Sequence, residues 1–434
     1  MDGMLISIIV FLVVYVAITF ELVNKAVAAF SGVAVLMLLH VLDEHHAIEF
    51  IDFETIMLLF GMMIIVSVLK HSGLFTIISV RISEVTRGNP IKILVLFSIV
   101  TAVMSAFLDN VTTVLIIIPI IIELTRGLGL DPKKYVLSQA IISNIGGAAT
   151  LIGDPPNVII GSKVGLTFNQ FLFNLAPPII VIFAVVLVFI WATNRDQFHP
   201  INTNIIKLFT VNLLLEKIRH DYLNINIDYS LMKKGLFFLA IAILLFITQT
   251  ITGLAPGIIA ISAGIFLVLI SGMNLEQALE EVEWTTLMFF VGLFILVGSL
   301  EEYGVIDWIA HNVFLNIGDN PYVLVLVVEW VAGIASGFLD NIPFTITMIP
   351  IIEIMNESNP YFQNLLWWAL ALGACLGGNI TIIGASANIV SIGIAKKYGV
   401  KISFLEFMKF GAVISIISLS IASLYLILCV NLII

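Results

Sequence analysis

The chain has 434 residues, of which 60% are hydrophobic and 11% charged, with a formal net charge of −10. A water-soluble domain carries about 25% charged residues, so a soluble fold is excluded. The apolar runs are continuous and do not alternate with period two, which excludes a transmembrane β-barrel. Two cysteines, Cys375 and Cys429, both lie in apolar stretches and rule out a disulfide framework or a cysteine-rich metal site.

In chain order, apolar segments fall near 4–20, 25–42, 54–70, 91–124, 137–160 and 174–193. The first has no basic n-region or cleavage site and reads as a retained span. A polar stretch, 194–234, follows. Its apolar positions between Ile205 and Ile218 recur at helical spacing, with Lys207, Lys217 and Arg219 nearby. This predicts a linker on the cytoplasmic membrane surface, with a plain solvated loop as the alternative. The later segments are 235–251, 256–272, 285–301, 321–355, 365–393 and 409–432.

The second list repeats the spacing of the first. Phe53–Gly61 lines up with Trp284–Gly292, Gly73 with Gly304, and Pro119 with Pro350. Asp109-Asn110 lines up with Asp340-Asn341, and Thr150, Gly153 and Asn157 with Thr381, Gly384 and Asn388. Every pair is 231 positions apart. An ungapped match that includes polar residues indicates an internal repeat. The chain divides into a first repeat (1–193), a cytoplasmic linker (194–234) and a second repeat (235–434).

Segments 91–124 and 321–355 are too long for one span, and each is broken by Asp-Asn. They predict re-entrant hairpins. Segments 137–160 and 365–393 are interrupted by Gly and Pro and predict crossing helices that unwind at the centre. Each half then has five crossings and one hairpin, an odd number that inverts the second half. The predicted fold is an all-α polytopic membrane protein with ten transmembrane helices and two re-entrant hairpins in two inverted repeats. With both termini outside, 18 of the 19 basic residues fall on the cytoplasmic side, Lys25 among them, and only Lys163 lies outside. The loops 43–54 and 301–319 are acidic and outside, while the acidic loop Glu276–Glu283 is cytoplasmic. This places the protein in the plasma (inner) membrane.

Polar groups inside the hydrocarbon layer are costly and line cavities or pathways. Helix breaks free backbone groups that can bind ions and solutes. Asp109-Asn110 and Asp340-Asn341 are therefore candidate ligands at the hairpin tips, with the hydroxyls of Thr112, Thr113 and Thr345. Asp and Asn also N-cap the second arm of each hairpin. The second pair of breaks contributes Asn144, Gly147, Thr150, Asp154 and Asn157 in one half. The break in the other half contributes Gly378, Asn379, Thr381, Ser386 and Asn388. Glycine there permits close approach to a bound species, and Pro155 and Pro156 stop a regular helix. The halves differ in chemistry: Asp154 stands against Ala385, and Asn379 against Ala148. Asp154 is the leading candidate for a proton or Na⁺ coupling group.

Glu123, Glu329 and Glu353 are weaker candidates. His45-His46 reads as part of a solvated outer loop, with a metal site as the less favoured alternative. No catalytic motif, metal site or cofactor site is read from the chain, and no Walker A pattern is present. The energy source is then an ion gradient or an ATPase on another chain.

Four motifs are together recognisable: Phe107-Leu-Asp-Asn-Val-Thr-Thr113, Gly146–Ile160, Leu339–Pro350 and Gly373–Asn388. They resemble the ion transporter superfamily and are most similar to its arsenite-permease and melanosomal P-protein branch. The resemblance implies a scaffold domain and a transport domain, with the site between the hairpin tips. It also implies elevator-type alternating access, often in a homodimer. Its members carry arsenite, Na⁺ and H⁺, or dicarboxylates. Asp109 and Asp340 would repel a dianion, and no Lys or Arg is read inside a span to compensate. Arsenite or antimonite efflux coupled to protons is the leading expectation, with Na⁺/H⁺ or related ion antiport as the alternative and a passive channel or dicarboxylate carriage less favoured. The expected partners are the small inorganic solute, the coupling ion H⁺ or Na⁺, and the lipid bilayer, with no nucleic acid.

Overall fold

The computed structural model describes residues 3–20, 22–86, 88–195, 227–314, 320–358 and 363–433. Among them the chain is all helix, with no strand. The linker helix expected between Ile205 and Ile218 lies outside the described residues.

The first half runs α1 (Gly3–Thr19), α2 (Lys25–Leu38), α3 (Glu44–Glu49), α4 (Phe53–His71), α5 (Leu74–Thr86), α6 (Pro90–Phe107), α7 (Asn110–Gly127), α8 (Pro132–Gly147), α9 (Pro155–Val164) and α10 (Phe168–Thr193). The second runs α11 (Tyr229–Ile247), α12 (Gln249–Thr252), α13 (Pro256–Ser271), α14 (Leu275–Glu280), α15 (Trp284–Glu302), α16 (Val305–Ile309), α17 (Pro321–Phe338), α18 (Asn341–Ser358), α19 (Gln363–Gly377), α20 (Ser386–Lys397) and α21 (Phe404–Ile433). The bounds of α3, α4, α6 and α7, shifted by 231, are the bounds of α14, α15, α17 and α18.

Local chemistry explains the shared boundaries. Asn89 and Asn320 each cap the helix that follows, and a proline occupies its first turn. That proline has no N–H to leave unsatisfied. Gly73 and Gly304 take φ of +80° and +70° after α4 and α15, a conformation closed to most side chains. His45 and His46, read as loop residues, sit in α3, which Asp43 caps by accepting from the His46 N–H at 2.9 Å.

Eight described helices are long and apolar enough to cross a membrane by length and composition. Three of these, α6, α7 and α17, belong to the segments broken by Asp-Asn. An 18-residue arm is about 27 Å long, so length alone does not distinguish a crossing from a hairpin arm.

Packing joins the halves. α4 lies against α13 from the second half, and α15 lies against α2 from the first. Small residues make both crossings close. A Cβ on Gly61 would lie 2.2 Å from the Ala260 backbone, and one on Gly292 would lie 2.8 Å from the Ala29 side chain. Such contacts hold helices together where lipid removes the hydrophobic driving force. The other helices surround the broken pairs, with α6 against α7 and α8, and α17 against α19 and α21.

Candidate functional site

Both Asp-Asn breaks are helix starts. α6 ends at Phe107, and Asp109 caps α7 by accepting from the Thr112 N–H at 2.8 Å. α17 ends at Phe338, and Asp340 accepts from the Ile342 N–H at 3.1 Å. The second breaks leave residues 148–154 and 378–385 outside regular helix between α8 and α9 and between α19 and α20. Neither α9 nor α20 has a side-chain cap at its start. Pro155 and Pro156 bring no N–H to the start of α9, so the donors of a helix start, with their positive local field, belong to α20.

The glycines allow the broken strands of chain to touch. A Cβ on Gly147 would meet the Gly153 carbonyl at 2.5 Å, and one on Gly378 would meet the Gly384 carbonyl at 2.8 Å. Threonines bond backbone carbonyls at both kinds of break. Thr113, Thr345 and Thr381 donate to the carbonyls of Asp109, Asn341 and Gly337 at 2.6, 2.7 and 2.7 Å, and Thr150 donates to that of Ala106. Their hydroxyl protons are committed to backbone, so only lone pairs remain for a ligand. Thr112 is half-buried and gives its N–H to Asp109.

A buried web of amides connects the halves. Asn110 donates to Asn144 at 3.0 Å, and Asn144 donates to Asn379 at 2.8 Å and to Asn388 at 3.0 Å. Asn388 holds the carbonyls of Gly378 and Thr381, as Asn157 holds those of Ala148 and Thr150. Where the first half has Asn144, the second has Cys375, whose Sγ lies 3.7 Å from the side-chain Oδ1 of Asn157. Asn341 donates to one oxygen of Asp154 at 3.4 Å, while the other oxygen is buried without a partner. A buried unpaired carboxylate oxygen is costly and points to something that binds there.

Asp109, Asn110, Asp154, Asn341 and Glu283 line one cavity of about 40 Å³, closed by apolar side chains of α4. One water needs roughly 10–15 Å³, so the space suits a few waters or a small ion. A wider pocket of about 510 Å³ adjoins it, and Glu283, Thr286 and Ser386 line both.

Two charged groups lie there that the sequence reading leaves out of the site. Lys25 was placed among the cytoplasmic charges, with no base expected in the core. It starts α2, and its ammonium pairs with Asp340 and donates to the Ser386 hydroxyl at 3.1 Å. A four-carbon stem lets a lysine at a helix end reach this far. Glu283 was read as an acid of the cytoplasmic loop. It precedes α15, accepts from the Thr286 hydroxyl at 2.9 Å, and faces the small cavity. One signal could have found it: Glu283 stands 231 positions after Asp52, which caps α4.

The weaker candidates lie apart from the cavity. Glu329 is buried in α17; one oxygen accepts from Ser423 at 2.7 Å and the other has no partner. Glu353 lines a separate pocket of about 290 Å³ with Lys163 and Glu301.

Comparison with known proteins gives one family. The family model described as a citrate transporter matches residues 15–373. An uncharacterized transporter of Mycobacterium tuberculosis is 37% identical over 429 residues, covering 97% of each chain. The 46 kDa membrane protein of Mycobacterium leprae is 37% identical over 427 residues, also covering 97% of each. The P protein of Homo sapiens is 34% identical over 495 residues, covering 95% of this chain and 58% of that protein. The chain belongs to the citrate transporter (CitMHS) family and is an integral membrane transporter rather than an enzyme.

Proposed function

We propose that the chain is a secondary transporter that exchanges a small monovalent cation for protons across the plasma (inner) membrane. It has ten crossings and two re-entrant hairpins in inverted halves, 1–193 and 235–434, with residues 194–234 as the cytoplasmic linker and both termini outside. The hairpins α6–α7 and α17–α18 enter from opposite sides and move with the broken helices as one transport body. The single observation that carries the substrate class is the small cavity, where Asp109, Asp154 and Glu283 converge in a space of about 40 Å³. Three carboxyl groups in so small a space favour a bound cation or protons, since like charges cannot all stay ionised without one. The orphaned Asp154 oxygen is the coupling group.

The family description names citrate. A free tricarboxylate would meet Asp109, Asp154, Glu283 and Asp340 with Lys25 as the base that the structure brings to them. Charge opposes that substrate here, so citrate belongs in the test as a contrast. Arsenite or antimonite efflux remains the second reading. Asn110, Asn341 and Thr286, which line the small cavity, carry both donor and acceptor groups for a neutral hydroxylated solute.

The test is a substrate panel in proteoliposomes carrying an internal pH dye. Addition of Li⁺, Na⁺ or K⁺ dissipates an imposed proton gradient, and citrate does not. No response to any monovalent cation across the physiological pH range overturns the antiport reading. For the second reading, expression in a metalloid-sensitive strain lowers cell arsenite; unchanged accumulation with confirmed membrane expression removes it.

A further inference from the structure

The two Asp-Asn tips are related by the 231-residue repeat, yet they end in different electrostatic surroundings. At the second tip, the Lys25 ammonium sits against Asp340, 3.1 Å from the Ser386 hydroxyl and 5.9 Å from the centre of the Phe289 ring. A carboxylate, a hydroxyl and an aromatic face are the ligands that a free monovalent cation would take. Asp340 is 3% exposed and Lys25 25% exposed, so the pair is largely out of water. At the first tip, the position equivalent to Lys25 is Pro256 and that equivalent to Ser386 is Pro155. No ion pair among the described residues reaches Asp109, which faces the small cavity instead. One tip is filled by a charge from the chain itself, and the other is open.

We propose that Lys25 is a tethered cation: its ammonium fills the cation site of the second tip, so the chain carries its cation at the first tip alone. The inference rests on the cation-transport reading and deepens it by fixing which tip binds. Lys25 starts α2, which packs against α15, whereas Asp340 belongs to the hairpin α17–α18. In an alternating-access cycle these two elements separate, and the ammonium must leave Asp340 each time.

The experiment is thermal unfolding of the purified full chain in detergent, in Li⁺ or Na⁺ against choline at constant ionic strength. The variants are Lys25→Met, Lys25→Arg, Lys25→Ala and the double variant Lys25→Met with Asp340→Asn. Lys25→Met acquires a saturable rise in Tm of several degrees with alkali cations, larger than that of the parent, because a ligand that binds only the folded state stabilises it. The double variant loses this added rise, and Lys25→Arg behaves like the parent. In Lys25→Ala, methylammonium restores Tm where choline does not. The proposal is overturned if Lys25→Met responds to cations as the parent does, or if the double variant keeps the added rise. If Lys25→Met folds only when Na⁺ or methylammonium is present throughout purification, the proposal is supported. If it folds in no medium, the proposal is contradicted, since a cation site would accept a free ion. Absence of cation-driven proton flux in the parent would remove the transport reading and leave these melting data to decide the role of Lys25.

Discussion

At the first tip Asp109 looks into a small cavity shared with Asp154 and Glu283; at the second, Asp340 is closed by Lys25 and Ser386. The side-chain bonds that hold the backbone recur around both tips, although Leu108 is helical (ψ −67°) where its partner Leu339 is extended (ψ 160°). Thr150 holds Ala106 as Thr381 holds Gly337, and Ser105 holds Ser143 as Ser336 holds Ala374. The difference lies in the side chains facing the break: Asn144 against Cys375, Asp154 against Ala385, Pro155 against Ser386. Hydrogen bonds to backbone maintain the shape of a break, and a handful of substitutions decide what it binds.

The largest expected effect on stability comes from the amide web, whose centre, Asn144, has Cys375 as its counterpart in the other half. Asn144→Ala strands the amides of Asn110, Asn379 and Asn388, at about 1–3 kcal/mol for each buried group left unpaired. Cys375→Ala, at the matching position, removes one weak sulfur contact and costs about 1 kcal/mol. Thermal unfolding in detergent separates the two. Equal losses would mean that the halves are not chemically distinct at this depth.

Next comes the shared backbone. Gly153→Ala places a Cβ 2.5 Å from the Gly147 carbonyl, and Gly384→Ala places one 2.6 Å from that of Gly378. Both variants lose about 1–3 kcal/mol by overpacking, read as a lower Tm and lower yield of monodisperse protein. Here the halves should respond alike. A tolerant Gly384 beside an intolerant Gly153 would break the symmetry of the backbone.

A smaller effect is expected at Glu329, whose counterpart in the first half is Ser98, hydrogen-bonded by Gln139. Glu329→Gln keeps the bond with Ser423 and removes any charge from a carboxyl oxygen that has no partner. Tm stays level or rises by the equivalent of about 1 kcal/mol. A large loss would assign Glu329 a bound partner of its own.

The smallest effect concerns Lys70 and Glu281, a pair of partly exposed residues that joins the halves at 2.5 Å. Lys70→Ala shifts stability by about 0–1 kcal/mol, because exposed ion pairs contribute little. A larger shift in Tm would mean that this pair, and not the α4–α13 and α15–α2 crossings, joins the halves.

Much of this was legible in the sequence. Asp, Asn, Thr, Gly and Pro in apolar surroundings recur at one fixed offset, and each has a backbone role that composition alone would not produce. The helix starts at Asn89-Pro90 and Asn320-Pro321 also carry a capping signature, which a reading by apolar segments does not use. Lys25 was not legible, because a lysine at the membrane-facing start of a helix reads as a topology signal and its repeat partner is Pro256. Glu283 reads as one of several loop acids, although its match to Asp52 marks the start of α15. The exchange of partners between halves, α4 with α13 and α15 with α2, also escaped. Periodicity tells which helices are apolar and leaves open which two meet. The Gly61–Ala260 and Ala29–Gly292 pairs, each 231 positions from the other, were the available clue.

The central claim is that one tip, not both, binds the transported cation. It is tested most directly by cation-driven proton flux in proteoliposomes containing the parent, Asp109→Asn or Asp340→Asn, with the rate followed against cation concentration. Loss of a charged ligand costs about 1.5–3 kcal/mol, or roughly 10- to 100-fold in affinity. The account predicts a fall of that size in apparent cation affinity for Asp109→Asn. For Asp340→Asn it predicts a changed maximal rate at an affinity close to that of the parent. An affinity for Asp109→Asn equal to the parent's, or an equal fall in both variants, would contradict it.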